Sequence, residues 1–346
     1  MATHLITGGC GFIGRHLAAA LHARGDRVRV LDTADPGDRP REIEFVHGSV
    51  LDPEALATAL RGVAHAFHLA AVSHLWAPDR ALYDRVNRQG TAELLRAAAA
   101  AGVRRVVHCS TEAVLLPRHP NGTAIDGTTL PPLSDMPGPY TRSKHRAEEL
   151  ALIAARGGLD VVIVSPSVPI GPGDRNRTPP AAMLSLFLRG GPTFYLPCVL
   201  NFVDVRDVAA GMALAAERGR SGERYILGGE NWSLRELLRR LGPAAGGRRI
   251  TGIPIPPGLA MASAVAAEWA ADRVTRRMPV ATREGVRLAR RSAPLDLSRS
   301  RLDLGYAPRP AAEALAAAVE WMARHQPSRF GREEVTREET VGPVPR

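Results

Sequence analysis

Lysine is nearly absent from this chain. Its 45 basic residues comprise 44 Arg and a single Lys, Lys144. Arginine stands wherever a positive charge alone suffices. The one retained ammonium therefore marks chemistry that a guanidinium does not supply: a compact, strongly hydrated point charge with three rotatable donors. Cysteine is scarce as well. Cys10, Cys109 and Cys198 are odd in number and unclustered, which argues against a disulfide framework or a zinc site and for a reducing, cytoplasmic compartment. No uncharged apolar run reaches the ~18 residues of a membrane span. A strand-like segment begins within the first few residues, where a secretory signal would need a charged and then an apolar region. The net charge of +10 would suit nucleic acid. Yet Asp and Glu are interspersed with the Arg and no zinc-finger or RNA-binding signature is present, so no nucleic-acid partner is expected. A weak pull towards anionic ligands, or peripheral association with an anionic membrane surface, is left open.

With 346 residues, 45% of them hydrophobic and 5% aromatic, the chain can build a sizeable core in one large or two moderate domains. His4 to Thr7 is a short apolar run. Gly8-Gly-Cys-Gly11-Phe12-Ile13-Gly14 follows, and Arg15 to Arg24 has helical period. In this strand–turn–helix context Gly8 permits a tight turn, Gly11 lets the backbone approach a pyrophosphate, and Gly14 allows close packing, with the helix start offering free N–H groups to phosphate. A second strand, Arg27 to Leu31, ends at Asp32, 18 residues after Gly14. An acid at about that spacing accepts adenosine ribose hydroxyls and repels a 2′-phosphate, which favours NAD. Arg15, Arg39 and Arg41 lie close enough to keep NADP open.

Further alternation follows: strand 43–47, helix 53–60 with Asp52 as its cap, strand 64–69, helix 79–101 and strand 104–109. Small residues after Leu69, Ala70 and Ala71, leave room for a nucleotide across the strand ends. A doubly wound parallel sheet of Rossmann type is predicted. After a Pro- and Gly-rich loop at 117–139 comes Tyr140-Thr-Arg-Ser-Lys144. On a helix, i and i+4 share one face about 5–6 Å apart, and a cation beside a phenol lowers the phenol's pKa towards working pH.

TGGCGFIG, Asp32, HLAA at 68–71, Ser110-Thr111 and YTRSK together resemble the extended short-chain dehydrogenase/reductase superfamily, in its NAD-dependent epimerase/dehydratase branch. LWAPD at 75–79, SPSVPIGPGD at 165–174 and YILGGEN at 225–231 resemble the hopanoid-associated sugar epimerase family. There is also similarity to 3β-hydroxysteroid dehydrogenases and dihydroflavonol reductases. The resemblance implies hydride transfer at a secondary carbinol carbon, with Tyr140 as general acid/base and Thr111 bonded to the same oxygen. Lys144 would hold the nicotinamide ribose and depress the Tyr140 pKa, and Asn87 would orient Lys144 or the relay. Pro166, Ser167 and Val168 would contact the nicotinamide carboxamide. Ser49, where relatives carry Asp, and Val50 would lie at the adenine. Homodimers are implied as well.

The remaining chain is expected to place residues 1–170 in the nucleotide-binding domain and 171–325 in a smaller substrate-binding lobe interleaved with it, including 201–218. A disordered polar tail spans 326–346. In the sugar-nucleotide members of the branch an Arg grips the substrate diphosphate at the position of Leu200, and His stands at that of Asp204. Loss of a bidentate clamp points away from a nucleotide sugar, unless Arg175, Arg177 or Arg206 compensates. A sugar and a hydroxylated lipid or small ketone both stay open as substrates, as do an epimerase that retains NAD and a reductase that exchanges it. A non-catalytic NAD-sensing protein is a third reading, disfavoured by the presence of Thr111, Tyr140 and Lys144. The mildly apolar 250–275 and Arg-rich 273–291 read as a substrate-lobe helix or as an amphipathic lid on a membrane surface.

Overall fold

Strands rich in Val, Ile and Leu set the architecture, because a strand buried on both faces needs an apolar side chain at almost every position. The computed structural model describes residues 2–34, 37, 40–120 and 122–325; the predicted tail 326–346 and Arg39 lie outside them. In chain order the elements are β1 (Thr3–Thr7), α1 (Phe12–Ala23), β2 (Arg27–Asp32), β3 (Glu44–His47), α2 (Pro53–Leu60) and β4 (His65–His68). A π-helical segment Tyr83–Gln89 then runs into α3 (Gly90–Ala100), β5 (Arg105–Cys109), α4 (Pro139–Arg156) and β6 (Val161–Pro166). Next come β7 (Val168–Ile170), α5 (Pro179–Leu188), β8 (Thr193–Tyr195), β9 (Val199–Asp204), α6 (Val205–Arg218), β10 (Arg224–Leu227) and β11 (Glu230–Ser233). The chain continues through α7 (Leu234–Ala244), β12 (Gly252–Pro254) and α8 (Pro257–Ala270), then a second π-helical segment Ala271–Thr275, α9 (Arg283–Arg291), α10 (Ser298–Leu304) and α11 (Ala311–His325).

Seven strands form one parallel sheet in the order β10-β6-β5-β4-β1-β2-β3. One face is covered by α1 and α6, whose Leu17, Leu21, Val208 and Met212 pack on Ile6, Val30 and Val164. The other is covered by α2, α3 and α4, with Leu56, Leu94 and Ala151 against Leu5, Val106 and Ile163. This is the predicted doubly wound α/β fold. The strand order reverses between β1 and β4, and the carboxyl ends of these strands open the crevice where such sheets bind ligands. The sheet draws its edge strand β10 from beyond residue 170, so the chain returns to the nucleotide-binding layer after entering the second lobe. A separate three-stranded sheet, β11-β9-β7, packs with α5, α7 and α11 around Phe202, Trp232, Leu237 and Leu315.

One local reading holds and one changes. Asp52 caps α2 as predicted, accepting from the Glu54 and Ala55 amides at 2.9 and 3.3 Å. The helix expected over 79–101, in contrast, begins as π-helix, with the Gly90 amide reaching back to the Arg85 carbonyl. Such segments are rare and concentrate at functional sites. This one carries Asn87.

Candidate active site

The glycine loop is shaped by contact rather than by flexibility alone. Gly8 has φ +72°, and a Cβ there would sit 2.6 Å from the Ala70 nitrogen. A Cβ on Gly14 would lie 2.5 Å from the Gly8 carbonyl oxygen. Helix α1 starts at Phe12 and Ile13 behind Gly11, with no side-chain cap and no acid in its first turn. Its free N–H groups and positive dipole end thus face the crevice, an arrangement suited to a pyrophosphate. Asp32 closes β2 and accepts from the Cys10 and Ala34 amides, both at 2.9 Å. The Ser167 hydroxyl at the end of β6 is buried without a partner. These features fit a dinucleotide: Gly8, Gly11 and Gly14 for the phosphates, Asp32 for the adenosine ribose and Ser167, between Pro166 and Val168, for the carboxamide. Leu69, Ala70 and Ala71 continue from β4 along the same edge. Val50 is buried against Gly90, and the Ser49 hydroxyl accepts from the Leu51 amide at 3.1 Å, holding the turn before α2.

Thr111, Tyr140 and Lys144 converge at the carboxyl end of β5. The Thr111 hydroxyl lies beside the Tyr140 phenol and influences it. The Lys144 ammonium, buried, donates to the Cys109 carbonyl at 2.6 Å. Ser110, the neighbour of Thr111, donates to the buried Glu148 carboxylate and so holds α4. Burial pushes the Tyr140 phenol above its ordinary value, against the lowering influence of the Thr111 hydroxyl, and the nearby Glu112 carboxyl pushes it up as well. The expectation that Lys144 depresses this phenol is corrected here. The ammonium gives one of its donors to a backbone carbonyl and is itself shifted down by burial. The pair presents a protonated phenol, able to donate to a substrate oxygen.

Asn87 acts on this helix one step removed. Its Oδ1 accepts from the Val72 amide at 2.7 Å, and its Nδ2 donates to the Val72 carbonyl at 3.1 Å and to Ser143 Oγ at 2.9 Å. Ser143 donates to the Tyr140 carbonyl at 2.7 Å. Asn87 therefore positions the backbone of Tyr140 rather than Lys144. Behind it, Thr91 donates to the Asn87 carbonyl at 2.6 Å, which commits its proton and makes it the acceptor for His68 Nε2–H at 2.9 Å. His68 Nδ1 then accepts from Thr7 at 2.8 Å. Burial pushes His68 down to about 3, so this neutral bridge ties β1 to the π-helical segment across the working pH range.

Two carboxyl groups of the site carry no signal in the sequence. Glu112 accepts from the Thr111 hydroxyl at 3.2 Å, and burial pushes it up to about 7. Glu284, 144 residues from Tyr140, is buried on α9 and accepts from the Tyr140 amide at 3.2 Å, the Thr141 amide at 2.8 Å and the Thr141 hydroxyl at 2.7 Å. It supplies the N-terminal cap that Gly138 lacks, and a Cβ on Gly138 would collide with it. Glu284→Ala is expected to lower unfolding free energy by about 1–2 kcal/mol and to lower kcat several-fold by loosening the turn that carries Tyr140. Glu284→Gln, which still accepts, retains most of both; denaturant titration beside steady-state kinetics reads the difference.

The arginines proposed to replace a diphosphate clamp are placed elsewhere. Arg206 is paired bidentately with Asp204, at 2.9 and 2.6 Å, where Asp204 caps α6. Arg177 is exposed, with φ +52°. Arg175 reaches the loop after β2, its guanidinium 3.8 Å from where a Cβ on Gly37 would be, and Arg15 comes to 4.0 Å of the same point. That is the adenosine end of the crevice. Leu200 itself pairs in register with Trp232 and packs on the second apolar core.

A switch-point crevice, a glycine cradle and a Thr–Tyr–Lys cluster define an NAD-dependent oxidoreductase of the extended short-chain dehydrogenase/reductase type. The model of the NAD dependent epimerase/dehydratase family matches residues 4–228, and the chain belongs to that family. It is 36% identical over 333 residues to a putative dihydroflavonol 4-reductase of Synechocystis, covering 92% of this chain and 94% of that one. It is 33% identical over 324 residues to sterol demethylase protein B of Methylococcus capsulatus, covering 92% and 98%. The crystal structure of a dTDP-glucose 4,6-dehydratase from Streptomyces venezuelae with NAD bound superposes with a TM-score of 0.74 at 29% identity, covering 94% and 98%. No helix among the described residues is long and apolar enough to cross a membrane, and no group of His, Cys, Asp or Glu among them could hold a metal.

Proposed function

We propose that this enzyme interconverts a secondary alcohol and a ketone on an apolar substrate without a nucleotide, such as a sterol-like or polycyclic carbinol. The observation that carries this reading is Leu200. It stands where a diphosphate-gripping Arg would be, half-buried against an apolar core and opposite Trp232 in strand register, while Arg206 is spent on Asp204. A ligand phosphate in this lobe would lack the bidentate guanidinium contact that gives such clamps their strength. The names of the two relatives, a dihydroflavonol reductase and a sterol-modifying protein, support the same chemistry.

The nicotinamide, when bound, supplies or takes the hydride. Tyr140 gives its phenolic proton to the substrate oxygen in the reductive direction and recovers it in the other. Thr111, beside the phenol, bonds that oxygen and steadies it for the transfer. Lys144, seated on Cys109, would hold the nicotinamide ribose hydroxyls, and Glu284 and Asn87 hold the turn from which Tyr140 projects. Three free cysteines fit the cytoplasm. A homodimer belongs to the same reading, supported by Ile153, more than half exposed on α4; a monomer by light scattering removes it.

The test is a substrate panel followed at the NADH absorbance: hydroxysteroids and their ketones and flavanonols on one side, UDP- and dTDP-glucose on the other. Turnover of the apolar carbinols with free exchange of NAD is expected. Turnover confined to the nucleotide sugars, with NAD retained through purification, would overturn the reading in favour of an epimerase.

A further inference from the structure

Helix α8 presents an unusual face to water. Glu268 is its one ionisable residue in Pro257–Ala270, and it is buried. It points inward with Ala260 and Ala264, at helical spacing, and accepts from the Arg283 amide at 2.7 Å and from its guanidinium at 2.5 Å. The opposite face carries no charge. Leu259 and Val265 are exposed on it, and Trp269 is 62% exposed. The apolar surface continues past the helix, with Val274 69% and Val280 80% exposed and Met278 between them. The chain turns sharply here, at Arg276 with φ +51°. Arg273, Arg276 and Arg277 are exposed in this turn. Among the described residues none of the three forms an ion pair, whereas Arg283 is paired with Glu268.

We propose that the outer face of α8, with the turn 271–280, docks on an anionic lipid bilayer. A contiguous apolar surface rimmed by charge marks an interaction site. An amphipathic element with an exposed Trp on one side and free Arg at its edge lies in the interface plane of a membrane, its apolar face among the acyl chains and its cations among anionic headgroups. The chain's net charge of +10 favours that partner and opposes a second copy of the same basic face. This surface is built into the catalytic unit. Asp272 accepts from Trp76 at 2.9 Å and from Arg80 at 3.0 Å, on the loop that leads to Asn87. Arg283 and Glu284 adjoin in sequence, so the bond from α8 and the cap on the Tyr140 helix are made by neighbouring residues. The surface is the same whether the substrate is apolar or a sugar, because these residues lie outside the active site.

Flotation of the full chain with vesicles tests it. Phosphatidylcholine vesicles holding about a third phosphatidylglycerol are expected to carry at least about ten-fold more protein than phosphatidylcholine alone, and high salt reverses this. Binding shifts the Trp emission to the blue, and Trp269→Phe removes the shift while still floating. Trp269→Ser with Val274→Ser, or Arg273→Gln with Arg276→Gln, lowers the floated fraction about ten-fold with the thermal midpoint unchanged. Absence of flotation on anionic vesicles at low salt overturns the proposal. So does a wild-type dimer that Trp269→Ser converts to monomer without any vesicle binding, which would assign the face to a second copy.

Discussion

Tyr140→Phe is expected to lower kcat about a thousand-fold, with NAD affinity and thermal midpoint unchanged. Phe fills the same space, and what holds this turn of α4 does not involve the phenol. Ser143 bonds the Tyr140 carbonyl and Glu284 bonds its amide. Lys144 is fixed independently on the Cys109 carbonyl, so the dinucleotide seat survives. The lost group is the proton donor alone, which matters only while a substrate oxygen changes charge. Steady-state kinetics with a parallel NAD titration separates the two. A variant retaining kcat within tenfold of wild type would remove Tyr140 from the proton path and leave Glu112, which sits on Thr111 and titrates near neutrality, as the donor.

Arg224→Ala is expected to cost about 3–5 kcal/mol of unfolding free energy, the largest stability effect of any single substitution considered. Glu148 is fully buried one turn beyond Lys144. Its Oε1 accepts from Arg224 Nε at 2.5 Å and its Oε2 from Ser110, while Arg224 also donates to the Gly127 carbonyl at 2.5 Å. Removing the guanidinium strands a carboxylate in the interior and leaves a carbonyl without its donor. Replacing both partners by apolar side chains of similar volume, Glu148→Leu with Arg224→Met, is expected to restore most of the loss, because it removes the uncompensated charge along with its partner. Denaturant titration of the single and double variants measures this. A loss under about 1 kcal/mol in Arg224→Ala would mean that the pair does not hold α4 to the sheet edge.

The nucleotide half was legible because its constraints are local. A strand, a glycine turn and a helix start within the first 23 residues, an acid ending β2, and a phenol four residues before an ammonium are each short-range patterns. Their spacing therefore reports their geometry. The Asp52 cap was readable for the same reason. The rest of the site is assembled across the chain. Glu284 reaches the Tyr140 turn from α9, and Arg224 reaches Glu148 from the edge strand β10. Neither has a neighbour in sequence that hints at its destination. The π-helical start of the helix around Asn87 was hidden because its apolar spacing fits an ordinary helix, and the bonds Asn87 makes there, to Val72 and Ser143, reach residues far away in sequence. The Tyr140 phenol was misjudged in direction, since pairing with Lys144 was read from spacing alone while burial, which spacing does not reveal, governs it.

The solitary Lys144 has a practical consequence. Its ε-amine is the one lysine amine of the whole polypeptide, and its proton-bearing nitrogen is enclosed and bonded to a backbone carbonyl. Protein grown on nitrogen-15 lysine would give a single side-chain ammonium resonance in a 37.0 kDa molecule, a reporter already seated at the reacting centre. Its position against pH reads the downward shift of that amine directly, and its response to added dinucleotide or substrate reports on the site with no probe attached and no background to subtract.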